Sequence, residues 1–139
     1  MQSTLSKIAN YNMQTSKLPR SICDDIDRKT RRFLWDGNDE KKEVHLISWE
    51  TLQKPKHMGG LGFTSARQAN AAFLTKLGWR ILADPDKLWA REYCKGRADL
   101  DMFTPKHRMS NIWSGIVSQA AAIKSSTAIS IGNGRNTLF

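Results

Sequence analysis

Apolar residues recur at steps of three and four positions over most of the chain, which is the spacing of one face of an α-helix. A first helix is predicted over residues 3–14. A second is predicted to follow Leu18, because Pro19 suits the first turn of a helix. Its predicted buried stripe consists of Ile22, Ile26, Thr30 and Phe33. The cluster Asp36-Gly37-Asn38-Asp39 is expected to end this helix.

The longest predicted helix runs from a cap at Thr64 to about Ala83. Its predicted inward positions are Ala66, Ala69, Phe73, Leu77 and Ile81. A turn at Asp84-Pro85-Asp86 separates it from a short helix around Trp89. Ser110 is predicted to cap a last helix. The apolar face of that last helix consists of Ile112, Trp113, Ile116, Val117, Ala120 and Ile123.

Two short segments have a β-prone composition. Val44 to Ile47 are predicted to be extended, and Thr127 to Ile131 precede the turn residues Gly132-Asn133-Gly134 and a second strand that stops at Phe139. The predicted fold class is mainly α: a small helical bundle with a short extended segment and an incomplete C-terminal β-hairpin. Residues 1–126 are expected to form one domain, and 127–139 the cut-off start of a following region.

The block Trp49 to Phe63 combines a short helix, a basic turn and a glycine cluster. Ser48 is predicted to cap the helix and Pro55 to stop it. Gly59, Gly60 and Gly62 are expected to form a tight turn that packs Leu61 and Phe63 into the core and displays Lys54, Lys56 and His57. The glycines lack the pattern of a phosphate loop, but anion binding at the N-terminus of the helix that follows stays open.

The charge of the chain favours an anionic partner. Its 139 residues include 22 Lys and Arg against 13 Asp and Glu, a formal net charge of +9. Nucleic acid is the partner this favours, with acidic proteins, membrane surfaces or an ordinary basic surface as alternatives. Four cations lie opposite the predicted stripe of the Pro19 helix: Arg28, Lys29, Arg31 and Arg32. They are either phosphate contacts or a solvated face partly paired with Asp24 and Asp25.

The sequence offers no convincing catalytic constellation, so no enzyme activity is expected. Asp24, Asp25 and Asp27 are interpreted as favourable charges near the start of their helix, with metal binding as the weaker alternative. Cys23 and Cys94 lack the spacing of a zinc site and are expected to be reduced, half-buried thiols. The three histidines are isolated. No metal or cofactor is expected.

Tryptophans can serve either as core residues or as platforms for stacked bases. Trp35, Trp79, Trp89 and Trp113 accompany apolar helical positions and are predicted to be core residues. Trp49 lies beside Lys54 and Lys56 and is the candidate for stacking on a base. No apolar run approaches the roughly 18 residues of a membrane span, and no secretory signal is visible, so an intracellular location without membrane contact is expected.

Several motifs follow one another in a fixed order along the chain: Tyr11-Asn-Met-Gln-Thr-Ser-Lys-Leu-Pro19, Arg32-Phe33-Leu34-Trp35, the Trp49–Phe63 block, Asn70-Ala-Ala-Phe-Leu-Thr-Lys-Leu-Gly-Trp79-Arg80, Leu88-Trp89 and Gly132-Asn133-Gly134. In this order they resemble the region after the polymerase core of plant non-LTR (LINE-type) retrotransposon reverse transcriptases. The resemblance covers essentially the whole chain. It departs from the family at Gln53, where a cysteine is common, and at Phe139, where the family's Phe-Trp segment is cut.

The resemblance implies a thumb or linker segment of an RNA-directed DNA polymerase polyprotein, in which it would help to grip template and primer. The Tyr-x-Asp-Asp polymerase motif, the zinc-binding-like segment and the acidic ribonuclease H residues are not in this sequence. The resemblance therefore implies a fragment that is non-catalytic by itself, and it implies a plant origin and a nuclear location.

The expected function is weak, sequence-independent binding of RNA or an RNA–DNA duplex. The predicted phosphate contacts are Arg28, Lys29, Arg31, Arg32, Lys54, Lys56, Lys76 and Arg80, with Trp49 as the stacking residue. One alternative is a helical module that docks on other parts of the polyprotein through the small residues Ala69 and Ala72. Another is a gene remnant without retained activity.

Overall fold

The computed structural model describes residues 10–35, 47–94, 100–105 and 108–128. The described part is mainly α-helical, as predicted, and contains no strand. Its helices are α1 (residues 10–15), α2 (Arg20–Trp35), α3 (Trp49–Gln53), α4 (Ala66–Ala83), α5 (Leu88–Cys94), α6 (Asn111–Val117) and α7 (Ala120–Ser126), with 3₁₀ turns at Lys56–Met58 and Leu100–Met102. The predicted extended segment at Val44 and the β-hairpin after Thr127 lie almost wholly outside the described residues.

The long helix α4 is the centre of the fold, because α2, α5, α6 and α7 all pack against it. Its fully buried positions are Ala66, Asn70, Leu74, Gly78 and Ile81. The prediction placed Ala69, Phe73 and Leu77 inside, but these three are only half-buried. Since neighbours cover more than one side of α4, no single apolar stripe marks its most buried face.

Helix α2 buries a different face from the predicted one. Cys23 is 2% exposed and packs with Met13 and Ala66, whereas Ile22 is 45% exposed and Phe33 is 56% exposed. Ile26 and Thr30 are half-buried. The buried face of α2 is therefore shifted from the predicted stripe toward the side of the helix that carries Cys23. The prediction was therefore wrong for Ile22 and Phe33.

The second apolar cluster lies at the C-terminal end of α4. Ile81, Phe103, Trp113, Ile116 and Ile123 form its buried centre. The cap at Ser110 is confirmed, since its Oγ accepts the N–H of residue 113 at 3.2 Å. The predicted single last helix is instead two short helices, α6 and α7, because the chain turns at residues 118 and 119.

The two helices before α3 are tied to α4 by a buried side chain whose structural role the sequence did not predict. Asn70 is 5% exposed, accepts the Leu18 N–H at 3.1 Å, and donates to the carbonyls of Met13 and Ser16 at 2.9 and 2.8 Å. The neighbouring Lys17 N–H donates to Asn111 Oδ1 at 2.8 Å. These bonds hold the α1–α2 connection against both α4 and α6.

The Trp49–Phe63 block folds largely as predicted. Ser48 Oγ accepts the Thr51 N–H at 3.2 Å and caps α3. Gly59 and Gly62 have φ of 80° and 71°, which favours glycine. Leu61 is 49% exposed, however, so the prediction that it enters the core was wrong.

The cap of α4 is Ser65 rather than the predicted Thr64, since Ser65 Oγ accepts the Gln68 N–H at 3.2 Å. The Asp27 carboxylate accepts the Ala66 N–H at 2.9 Å, so this helix start is already satisfied by two side chains. That arrangement argues against anion binding there. None of the described helices is long and apolar enough to cross a membrane.

Candidate nucleic-acid interface

The outward face of α2 and the start of α3 enclose a basic groove of about 550 Å³. We call it the arginine groove; its lining includes Arg28, Arg31, Arg32, Trp35 and Trp49. Positions three and four apart on a helix are neighbours, which brings the three guanidinium groups to one side of α2. All three arginines are exposed, as is Lys29, which does not line the groove.

Trp49 lines the groove together with the arginines. The centroids of its ring and those of Trp35 and Phe63 are 5.8 Å apart in each case. The Arg31 guanidinium carbon lies 5.6 Å from the Trp49 ring centroid, a cation–π contact. A base that stacks on this side of Trp49 therefore has to share the ring with Arg31, and stacking on Trp49 stays a prediction.

The three arginines differ in how far other groups engage them. Arg28 pairs with Asp25 at 3.0 Å, but both side chains are about half exposed or more, so solvent weakens the pair. Arg31 Nε donates a long hydrogen bond of 3.5 Å to the Asp27 carbonyl. Arg32 has no ion-pair partner among the described residues. The groove thus presents guanidinium groups that retain free donors for an anion.

The remaining predicted contacts lie elsewhere. Lys54 and Lys56 are exposed on the turn after α3 and do not line the groove. Lys76 and Arg80 line a separate pocket of about 170 Å³ against α1, and the Arg80 guanidinium carbon is 5.8 Å from the Trp89 ring centroid. The structure therefore assembles Arg28, Arg31, Arg32 and Trp49 into one site and separates Lys76 and Arg80 from them.

The other tryptophans are only partly core residues. Trp113 is 7% exposed and stacks with Tyr93 at 5.4 Å, as predicted for a core position. Trp35 and Trp89 are half-buried. Trp79 is 46% exposed, so its assignment to the core was wrong.

Asp24 and Asp27, two of the three aspartates of α2, have roles that the sequence analysis missed. The helix begins at Arg20, so they lie beyond its first turn and not at its dipole end. Asp24 pairs with Arg67 of α4 at 2.9 Å, and Asp27 binds the Ala66 N–H. Sequence position could have indicated these roles. Asp27 lies beside Ile26, and Asn70 lies four residues after Ala66 and four before Leu74, among residues that face inward.

Trp49 also lines a cleft of about 520 Å³ between α2 and α4, which we call the inner cleft. Its polar lining includes Asp27 and Thr30 of α2. Its apolar lining includes Met13, Phe63, Ala69, Ala72 and Phe73. One aromatic ring thus borders both the basic groove and this cleft.

Cys23 is a buried free thiol, more buried than predicted. Burial, followed by the nearby charge of Asp27, raises its pKa, so the thiolate is disfavoured. In the described ranges no group of three or more His, Cys, Asp or Glu side chains is arranged to hold a metal ion. His45 and His107 lie outside those ranges, and for Cys94 only the backbone is described.

The chain is similar to proteins of Arabidopsis thaliana. One, named "Putative ribonuclease H protein", is 36% identical over 120 residues, which cover 83% of this chain and 19% of that protein. Another, an uncharacterized mitochondrial protein, is 30% identical over 82 residues, which cover 58% of this chain and 53% of that protein. The chain thus spans about a fifth of the first relative and about half of the second. No protein-family model and no solved structure matches it.

Proposed function

We propose that this chain is a thumb or linker segment of a plant non-LTR retroelement reverse transcriptase polyprotein. Its role is to bind RNA or an RNA–DNA duplex weakly and independently of overall sequence, without catalysing a reaction by itself. The observation that carries the proposal is the arginine groove, which Arg28, Arg31 and Arg32 line together with the side chain of Trp49. A relative named for ribonuclease H supports a nucleic-acid partner.

The chemistry of the groove suits phosphate rather than base edges. A guanidinium group presents planar, paired N–H donors that match the oxygens of a phosphate. Such contacts hold a strand in place and carry no sequence information of their own. The formal net charge of +9 adds a long-range attraction that salt screens. Binding should therefore be weak at high salt and similar for strands of different sequence.

The direct test is RNA binding by the chain as a function of salt. Fluorescence anisotropy with a labelled ten-nucleotide RNA gives the slope of log affinity against log salt concentration. Replacing Arg28, Arg31 and Arg32 together by glutamine should flatten that slope by about 2, since each phosphate contact on a single strand contributes about 0.7. The affinity at low salt should fall with it.

A matched control separates the groove from net charge. Lys87, Arg91 and Arg108 are exposed cations that do not line the groove, and their joint replacement by glutamine removes the same charge. This control should leave the slope within about 0.5 of the wild-type value. Equal loss in both triple variants would assign binding to overall charge and reject the groove.

The absence of catalysis is tested separately. The chain, incubated with a labelled RNA–DNA hybrid and either Mg²⁺ or Mn²⁺, is expected to leave the RNA strand intact. Cleavage that survives re-purification would contradict this part of the proposal. A nuclear location belongs to the same proposal, and a fluorescent fusion expressed in plant cells would test it.

A second candidate function is docking on another part of a polyprotein. Ala72 is exposed and borders both the inner cleft and a shallow groove of about 450 Å³ that includes Trp79, which is 46% exposed. Small residues beside an exposed aromatic ring allow close approach of an apolar partner. Binding of this kind should be insensitive to salt and lost when Ala72 is replaced by phenylalanine, whereas RNA binding should depend on salt.

A further inference from the structure

We propose that the inner cleft accepts one unpaired base bearing an exocyclic amino group, from the strand whose phosphates lie along the arginine groove. The inference rests on the proposed function and adds a base preference at a single position. Guanine, adenine and cytosine carry such an amino group, and uracil does not. The occupant is thus a strand of the RNA that the proposed function assigns, with at least one unpaired nucleotide.

The arginine groove and the inner cleft are adjacent. Trp49 lines both the arginine groove and the inner cleft, so a strand held by phosphate contacts in the groove has the cleft as its neighbour. The groove carries guanidinium groups. Among the described residues that line the cleft, the one with a charged side chain is Asp27, a carboxylate. A phosphate is attracted to the groove and repelled from the cleft, which directs the backbone to one and a base to the other.

The walls of the cleft suit a flat ring. Its volume of about 520 Å³ lies within the range of roughly 300–1,000 Å³ that is usual for ligand pockets, and Phe63 and Phe73 contribute aromatic surface beside Met13 and Ala69. Aromatic and apolar side chains stabilise unstacked bases irrespective of base identity. These walls explain why a base would enter, and the polar edge decides which base is preferred.

Asp27 and Thr30 supply acceptors to the polar edge of the cleft. Asp27 Oδ1 accepts the Ala66 N–H at 2.9 Å, and Oδ2 has no hydrogen-bond partner among the described residues. Thr30 Oγ1 donates its proton to the Ile26 carbonyl at 2.8 Å, which leaves its lone pairs to accept. Asn10 and Thr64 also line the cleft and can serve as donor or acceptor, so they do not set the preference.

Acceptors at this edge match an amino group and oppose a carbonyl oxygen. An exocyclic amino group can donate to Asp27 Oδ2, whereas uracil offers a single N3–H donor flanked on both sides by carbonyl oxygens that the carboxylate repels. One such hydrogen bond to a charged group corresponds to a preference of about tenfold. The rest of the strand remains bound through phosphates alone.

The experiment compares four ten-nucleotide RNAs, an oligo(U) and three versions with one central uracil replaced by adenine, cytosine or guanine. Their affinities for the full chain are measured by anisotropy at one salt concentration. At least one amino-bearing RNA is expected to bind about tenfold more tightly than oligo(U). The affinity ratio is the readout, because changes in net charge affect all four RNAs alike.

Asp27→Asn is the sharpest variant. Its amide oxygen can keep the bond to the Ala66 N–H, while its amide nitrogen replaces an acceptor with a donor at the position of Oδ2. The ratio should therefore fall toward one, because every base offers an acceptor to the new donor. Asp86→Asn makes the same chemical change at an exposed turn and should keep the wild-type ratio. If Asp27→Asn lowers the melting temperature too far, Thr30→Val should reduce the ratio instead.

The outcomes separate the two proposals. If all four RNAs bind equally and the salt slope still depends on the three arginines, the base cleft is rejected and the proposed function stands. If the wild type prefers an amino-bearing base but Asp27→Asn and Thr30→Val keep that preference, the inference is likewise overturned. If the wild-type chain binds no RNA, or binds without dependence on the arginines, both proposals fail.

Discussion

At the scale of single residues, polar side chains in buried positions decide how the helices meet. Asn70 satisfies three backbone groups of the segment before α2, and Asp27 satisfies the first N–H of α4. An unpaired buried amide group costs about 1–3 kcal/mol, so these two side chains select one arrangement among several that would bury similar apolar area.

Asn70→Asp should be strongly destabilising although it preserves the shape of the side chain. The carboxylate cannot donate to the carbonyls of Met13 and Ser16, and it places negative charge beside both oxygens. We expect a loss of about 2–4 kcal/mol in the free energy of unfolding, measured by urea denaturation. Gln68→Ala, on the exposed side of the same helix, should change that free energy by less than about 0.5 kcal/mol.

At the scale of elements, short local signals determine where helices start and how the chain turns between them. Ser48 and Ser110 cap the helices that they were predicted to cap, because a cap bond joins residues three apart in sequence. The turn between α3 and α4 depends on glycine for two separate reasons. Gly59 has a positive φ, whereas Gly60 packs against the Lys54 carbonyl.

These two glycines should respond differently to alanine. At Gly59 an added Cβ meets nothing within 4 Å, so Gly59→Ala should cost only the backbone strain of about 1 kcal/mol. At Gly60 the Cβ would overlap the Lys54 carbonyl oxygen, which accepts the Gly62 N–H at 3.0 Å and cannot move freely. Gly60→Ala should therefore cost about 3 kcal/mol. Thermal or urea denaturation compares them, and equal costs would show that the turn rearranges.

At the scale of the whole molecule, α4 contributes to both apolar clusters. Ala66 belongs to the cluster with Met13 and Cys23, and Ile81 to the cluster with Trp113 and Ile116. A single helix shared in this way should make the described part of the chain unfold as one cooperative unit.

Ile116→Ala tests this coupling, because the side chain is fully buried in the second cluster while Cys23 reports on the first. In a Cys94→Ser background, the thiol of Cys23 should become reactive only on unfolding, since burial shields it and raises its pKa. The substitution should remove about 2–5 kcal/mol and move the urea midpoint of Cys23 labelling as far as that of circular dichroism.

Two other results would contradict that expectation in different ways. A Cys23 midpoint that stays in place would show that the clusters unfold separately. A wild-type chain without a cooperative transition would favour the alternative of a gene remnant over a folded binding module.

The sequence by itself determined the mainly α class and most helix ends, because these depend on interactions between residues a few positions apart. Proline, glycine and serine at particular positions marked the ends of α3 and α4 and the start of α6, with an error of one residue at Thr64. The basic face of α2 was also visible, since the spacing of Arg28, Arg31 and Arg32 follows from helical geometry alone.

Only the tertiary structure decided which faces are buried and which candidates share a site. Periodicity predicted Ile22, Ile26 and Phe33 to be buried alike. The packing of α2 on α4 left Ile22 and Phe33 exposed. The relative placement of α2, α3 and α4 brings Trp49 next to the arginines and keeps Lys76 in a separate pocket. These outcomes join residues far apart in sequence, and local patterns carry no information about such contacts.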